Sequence, residues 1–232
     1  NLEIPSKCPV CMEPTELRLS GNTEILVCLN EDCPAKKSGR FTHFVSRDAM
    51  NIEGLSEQTI LKFMGYGFIK KFKDIYDIRF HKEEILNLEG FGEKSFSNLL
   101  ESIEESRKTN PARLLYALGI TGIGVTTANL IARHCKNSWN SIISLDEEEL
   151  LQIEGIGSVT ARDYIKFFGS KKNSEDLREL VSCLNIDESF EETGEQLKGK
   201  TFVITGDLEH FNNRKELKSQ IESAGGKVSS SV

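Results

Sequence analysis

Four stretches of the chain share one apolar rhythm. Ile60-Phe63-Met64-Gly67, Phe96-Leu99-Leu100-Ile103, Ala128-Ile131-Ala132-Cys135 and Ala161-Tyr164-Ile165-Phe168 follow the spacing i, i+3, i+4, i+7, broken only at Gly67. That spacing turns one stripe of an α-helix toward a core. Four residues before each set stands Ser56, Gly92, Gly124 or Gly157, and two residues earlier a glycine: Gly54, Gly90, Gly122 or Gly155. These leading glycines recur at intervals of 36, 32 and 33 residues, the mark of one repeated supersecondary unit. Apolar runs upstream of three of them, "EEILNLEG", "ARLLYALG" and "EELLQIEG", predict a preceding helix. Each unit therefore reads as helix, tight hairpin, helix.

A helix that opens on Gly-hydrophobic-Gly has two explanations. The glycines can serve a sharp turn and nothing more. Alternatively, the backbone N–H groups at the helix start lack intrahelical partners and carry the positive end of the macrodipole, so an oxyanion can approach them closely where side chains are missing. One copy does not choose between these, but four copies in one register favour a grip on a phosphate backbone, which reads no base sequence. The predicted contacts are Gly90, Gly92, Gly122, Gly124, Gly155 and Gly157, with Lys94 and Arg162 as nearby cations. "GIGVTTA" from Gly122 brushes against a dinucleotide-binding fingerprint. It follows a helical pattern instead of a strand, so a nicotinamide site is rejected there.

The first third carries a different chemistry. Cys8-x2-Cys11 and Cys28-x4-Cys33 have the spacing of a four-cysteine zinc site, a closed shell with no open position for catalysis. Two disulfides in a secreted module are the competing reading, and no signal-like hydrophobic start supports it. Cys135 falls on a core stripe and Cys183 in the apolar run "LVSCLNI", so neither needs a further role.

Composition by itself argues against nucleic acid, since the net charge is −7 where a basic footprint is usual. The excess is uneven: residues 1–140 nearly balance, while 141–185 carry −4 and 186–232 carry −3. Binding would then rest on amide cradles with a few cations, not on a broad basic field. "NIDESFEETGEQLKGK" has linker composition. After it "TFVITG" predicts a strand, "NRKELKSQIESAGG" a helix and "KVSSSV" the start of a second strand.

The sequence resembles a known family at this point. The four units look like helix-hairpin-helix motifs. "CPVCMEPTELRLSGNTEILVCLNEDCPAK" with "GRFTHFVSRDAMNIEGL", continuing through "RLLYALGITGIGVTTANLIA" and "LKGKTFVITGDLEHF", is similar to the C-terminal portion of bacterial NAD-dependent DNA ligases. The resemblance implies a multidomain, mainly α fold: a four-cysteine zinc finger over 1–45, a domain of four DNA-binding hairpins over 46–184, an acidic linker over 185–197 and an incomplete α/β BRCT domain over 198–232. It further implies a parent enzyme that seals nicks in duplex DNA through a lysine adenylate, using NAD and Mg2+, with Zn2+ structural at Cys8, Cys11, Cys28 and Cys33. Such enzymes hold that lysine in Lys-x-Asp-Gly, which does not occur here, so no catalytic residue is expected in this chain and the fragment is expected to be inactive alone. Its expected task is to hold nicked duplex DNA without regard to sequence and position the nick. Asn51 and Ser56 depart from the family's usual aspartate and glycine, and Ser56 puts phosphate contact at the first hairpin in doubt.

A non-catalytic DNA-repair binding module would share every feature read from the residues, and the BRCT-like tail leaves a protein-interaction scaffold open. The expected setting is a cytoplasmic monomer: the metal-type cysteine pattern fits a reducing compartment, and no stretch is long and apolar enough to cross a membrane.

Overall fold

A computed structural model describes residues 4–20, 23–30, 32–190, 197, 199–206, 213–223 and 225–229. They divide into two compact units, Asn1–Glu188 and Ser189–Val232.

The first unit begins with an antiparallel hairpin, β1 (Thr15–Ser20) and β2 (Thr23–Cys28), followed by α1 (Pro34–Val45). Pro34 suits the first turn of α1, where its missing N–H costs nothing. Phe41, Phe44 and Val45 leave the far end of α1 buried, so this helix ties the cysteine segment to the helical body. Among the described residues of that unit the further α-helices are α2 (Glu57–Gly65), α3 (Phe72–Ile75), α4 (Lys82–Leu86), α5 (Glu93–Ser106), α6 (Pro111–Ala117), α7 (Val125–His134), α8 (Trp139–Ser144), α9 (Glu147–Leu151), α10 (Ser158–Gly169) and α11 (Lys171–Val181). The stripes expected from periodicity face one continuous core. Ile60, Phe63, Phe96, Leu99, Ile131 and Tyr164 are among its most deeply buried members. Burying each such side chain contributes about 1.5–3 kcal/mol. Ile165 is the exception, 38% exposed: α10 packs through Ala161 and Tyr164, while Phe167 and Phe168 press in from its C-terminal turn.

Polar ties from four side chains fix the segments against one another. Arg107, just past α5, donates to the carbonyls of Cys183 (2.8 Å) and Tyr76 (3.3 Å), pairs with Glu104 at 2.8 Å and lies 5.0 Å from the Tyr76 ring centre. Arg113 of α6 donates to the carbonyls of Ala49 (2.6 Å) and Arg47 (3.0 Å), and a His43 ring nitrogen lies 2.7 Å from the Tyr116 carbonyl. The Tyr164 hydroxyl donates to the Ile142 carbonyl at 2.6 Å. Burial pushes the Tyr76 phenol up to about 12, keeping it neutral.

One element escapes a reading by periodicity. β3 (Lys108–Thr109) and β4 (Asn185–Ile186) form a two-residue parallel ladder, so the first residues of the acidic stretch belong to the first unit, which ends at Glu188. In the second unit β5 (Thr201–Val203) and β6 (Lys227–Ser229) pair in parallel, with α12 (Arg214–Ser223) between them in the chain.

The leading hairpin glycines share one backbone shape, with φ of 89°, 90°, 82° and 89° at Gly54, Gly90, Gly122 and Gly155, a region that side chains enter only with strain. Gly122 carries a second constraint: an added Cβ would sit 2.5 Å from Thr160 Oγ1, so the third hairpin presses on the helix of the fourth. At Gly155 nothing lies within 4 Å. Gly155→Ala should therefore cost roughly 1–3 kcal/mol of backbone strain, and Gly122→Ala distinctly more, in urea unfolding of the two variants. Equal losses would show that the contact with Thr160 adds nothing.

Candidate nucleic-acid interface and cysteine centre

The second, third and fourth hairpins are built by the same local bonds. Phe91 N–H donates to Leu88 O at 3.1 Å, Ile123 to Ile120 at 3.0 Å and Ile156 to Ile153 at 3.1 Å, and each following helix starts with a bond to Gly92 O, Gly124 O or Gly157 O. The apolar residue between the glycines is pulled inward: Leu55, Ile123 and Ile156 are buried and Phe91 packs against the core. The residues on either side must then face out.

The two glycines of a pair have different reasons to be there. The leading one makes the left-handed turn. Gly92, Gly124 and Gly157 are the N-cap residues of α5, α7 and α10, with φ of −134°, −83° and −94°, values open to any residue. Among the described residues, chain neighbours aside, no atom lies within 4 Å of where their Cβ would be. Nothing among the described residues calls for glycine at these three positions.

The same helix ends lack a side-chain cap, whereas α6, α8, α9 and α11 are capped by Asn110, Ser138, Asp146 and Ser170. The N–H groups of their first turns therefore stay available to an outside acceptor. At α5 the hydroxyl of Ser95 occupies the Gly92 N–H and carbonyl, at 3.0 and 2.9 Å, which leaves the N–H groups beyond the N-cap. The first hairpin is closed differently: the Ser56 hydroxyl accepts from Thr59 N–H at 3.2 Å and so caps α2 itself. Lys94 and Arg162 are exposed near the starts of α5 and α10. Glu93 at the first turn of α5 is paired with Lys82 at 3.0 Å.

Periodicity gives no hint of how the first hairpin meets the second. Glu53 N–H donates to Ser102 Oγ at 2.7 Å, Lys62 Nζ to the Glu89 carbonyl at 3.0 Å, and the Phe63 and Phe91 rings lie 5.3 Å apart. Lys62 and Glu89 are far apart in sequence and carry no motif, so nothing short of the fold reveals the pair.

The four N-terminal cysteines converge. Their Sγ atoms all lie within 4.8 Å of one another, with 3.4 Å between Cys11 and Cys28 and 3.9 Å between Cys8 and Cys33. A tetrahedral zinc with bonds of about 2.3 Å needs sulfur separations of about 3.8 Å, so the set fits such an ion, and the four thiols form one cluster, not two disulfide pairs. Met12, at φ 61°, turns the chain after Cys11. Backbone N–H groups of Cys11 and Val10 aimed at the Cys8 sulfur hold that thiol down at about 6, while loss of solvent first, and then the neighbouring sulfurs, push Cys28 up to about 12. Crowded thiols resist joint ionisation until a dication offsets their charge.

The fold and these two sites define a helical protein with repeated glycine hairpins and a four-cysteine cluster of metal-binding geometry. A family model described as "Helix-hairpin-helix motif" matches residues 113–177, the stretch holding the third and fourth hairpins. Proteins named "DNA ligase" align along the chain: 46% identity over 230 residues in Ruminiclostridium cellulolyticum, covering 99% of this chain and 35% of the relative. The relative from Lachnoclostridium phytofermentans is 45% identical over 233 residues (100% and 36%), and that from Fusobacterium nucleatum 41% over 237 (100% and 34%). The chain aligns along its length with these bacterial DNA ligases and spans about a third of the length of each. Among the described residues no helix is long and apolar enough to cross a membrane.

Elemental analysis after equilibration with zinc should return about one ion per chain at a four-thiolate site. A chelator should melt the β1–β2 hairpin while the helical core keeps its far-UV signal. Retention of that hairpin's amide shifts without metal would show that the sulfurs are not what holds it.

Proposed function

We infer that this chain is the DNA-holding segment of a bacterial NAD-dependent DNA ligase, gripping the phosphate backbone of nicked duplex DNA at its hairpins without reading sequence. The observation that carries this reading is the absence of any internal need for glycine at Gly92, Gly124 and Gly157, beside helix ends without a side-chain cap. An oxyanion that comes within hydrogen-bond reach of the first-turn amides needs the volume a Cβ would fill. All four glycine turns count as helix-hairpin-helix motifs on this reading. The first, closed by Ser56, is a brace and not a phosphate contact.

Joining two DNA ends requires that they stay in reacting geometry, and a clamp on the flanking duplex supplies that restraint. Gly90, Gly122 and Gly155 set the turns, Gly92, Gly124 and Gly157 admit the phosphates, and Lys94 and Arg162 add charge beside them. Zinc at Cys8, Cys11, Cys28 and Cys33 is structural, since four thiolates leave no open position. The Gly122-x-Gly124 turn joins α6 to α7, a helix where a dinucleotide site has a strand, so NAD, Mg2+ and the nick-sealing chemistry are assigned to the remainder of the parent enzyme. This segment is expected to be inactive alone, monomeric and cytoplasmic. The β5-α12-β6 arrangement supports reading 198–232 as part of a BRCT domain.

Serine in place of Gly92, Gly124 or Gly157 should copy the Ser56 cap. Each variant should keep its unfolding free energy, or gain about a few tenths of a kcal/mol, while affinity for nicked duplex falls roughly tenfold. The slope of log affinity against log salt should shrink by about 0.9 for each phosphate that is no longer engaged. Unaltered affinity in all three folded variants would return these glycines to a turn-only role.

A further inference from the structure

A cavity of about 130 Å³ opens where α1 meets α3, α10 and α11. Phe41 from α1, Phe72 opening α3, Phe167 near the end of α10, and Leu177 and Leu180 from α11 form its apolar wall. Five cations border the same space, Lys37, Arg40, Lys70, Lys71 and Lys172, with Asp176 as the one carboxylate in its lining.

The cations are only partly matched. Lys37 pairs with Asp32 at 2.8 Å, and Lys71 with Glu179. Arg40 lies 5.5 Å from the Phe72 ring centre and Lys70 uses its backbone N–H, not its ammonium, on Asp74. With Asp32, Asp74, Asp176 and Glu179 set against five cations, a local excess of one positive charge remains in a chain of net charge −7. Long cationic side chains do lie over apolar surface with their heads in water, and that accounts for one or two of them. Five converging on one aromatic hollow is the composition of a site with a few polar groups fixing an apolar ligand.

We propose that this junction cavity binds a small aromatic anion, one six-membered ring seated among Phe41, Phe72 and Leu177 with its charged substituent held by Arg40, Lys70 and Lys172. The volume sets the size: a cavity of about 150 Å³ accepts one benzene ring. A pyridinium or other cationic ring is disfavoured by the rim. Because α1, α3, α10 and α11 all contribute, an occupant bridges the cysteine segment to both hairpin halves and stiffens their junction. The proposal does not depend on DNA binding by the hairpins.

The test is titration of the 232-residue chain with phenyl phosphate, followed by backbone amide shifts, with benzyl alcohol supplying a ring without charge and inorganic phosphate a charge without a ring. Saturable shifts at Lys70, Phe72, Asn173 and Leu177, with phenyl phosphate at least about tenfold tighter than either fragment, are expected. K70E/K172E should keep the unfolding midpoint and lose that preference, and Lys70→Gln serves if the double variant does not fold. Equal binding of inorganic phosphate, the absence of saturation, or displacement of the probe by duplex DNA would each overturn the assignment, the last by placing these cations on a DNA path.

Discussion

Burial of the apolar residue inside each hairpin is the constraint from which the rest of the first unit follows. Leu55, Ile123 and Ile156 sit in the core and Phe91 packs against it, so the chain must double back within two residues on either side. The left-handed turn at the leading glycine makes that reversal. With the middle residue anchored inward, the residue that follows is left on the surface at the start of a helix. A turn demanded by packing thus delivers unpartnered backbone N–H groups to the outside.

Delivery at one place is of little use to a clamp unless the hairpins are fixed relative to one another. Lys62 on the Glu89 carbonyl, Glu53 N–H on Ser102 and the Gly122 approach to Thr160 join the first hairpin to the second and the third to the fourth. Arg107 and Arg113 tie the connecting segments by their backbone carbonyls, bonds of a charged donor that are worth about 1.5–3 kcal/mol each. An acidic chain can work this way because the attraction acts over the length of one hydrogen bond. Net charge governs approach from a distance, where salt screens it.

The repeats and the cysteine cluster were legible in the sequence because both are written as short, periodic spacings. Tyr164 and Ala161 are buried as their stripe requires, but Ile165 is exposed, while Phe167 and Phe168 after it pack against the core. The ladder of Lys108–Thr109 with Asn185–Ile186 joins segments separated by most of the second half of the chain, and two residues are too few to leave a pattern. Lys62 and the cation-lined junction cavity were invisible for the same reason: their partners come from separate helices whose approach is set by the core. Ser56 was legible as a departure from glycine, yet its role as a cap is a matter of where its hydroxyl points.

The first hairpin also clarifies what glycine does at the other three. Its backbone takes the same turn at Gly54, with φ of 89°, and its helix starts at the same place in the repeat, so a side chain at the N-cap is compatible with the fold. Serine there supplies an acceptor from within, which by capping propensity makes it a better residue than glycine for the stability of the helix. Gly92, Gly124 and Gly157 forgo that acceptor although each has open space for one. A position that gives up local stability without any internal constraint points to a requirement outside the folded chain, and an acceptor brought by another molecule to the same amides is the requirement the geometry fits.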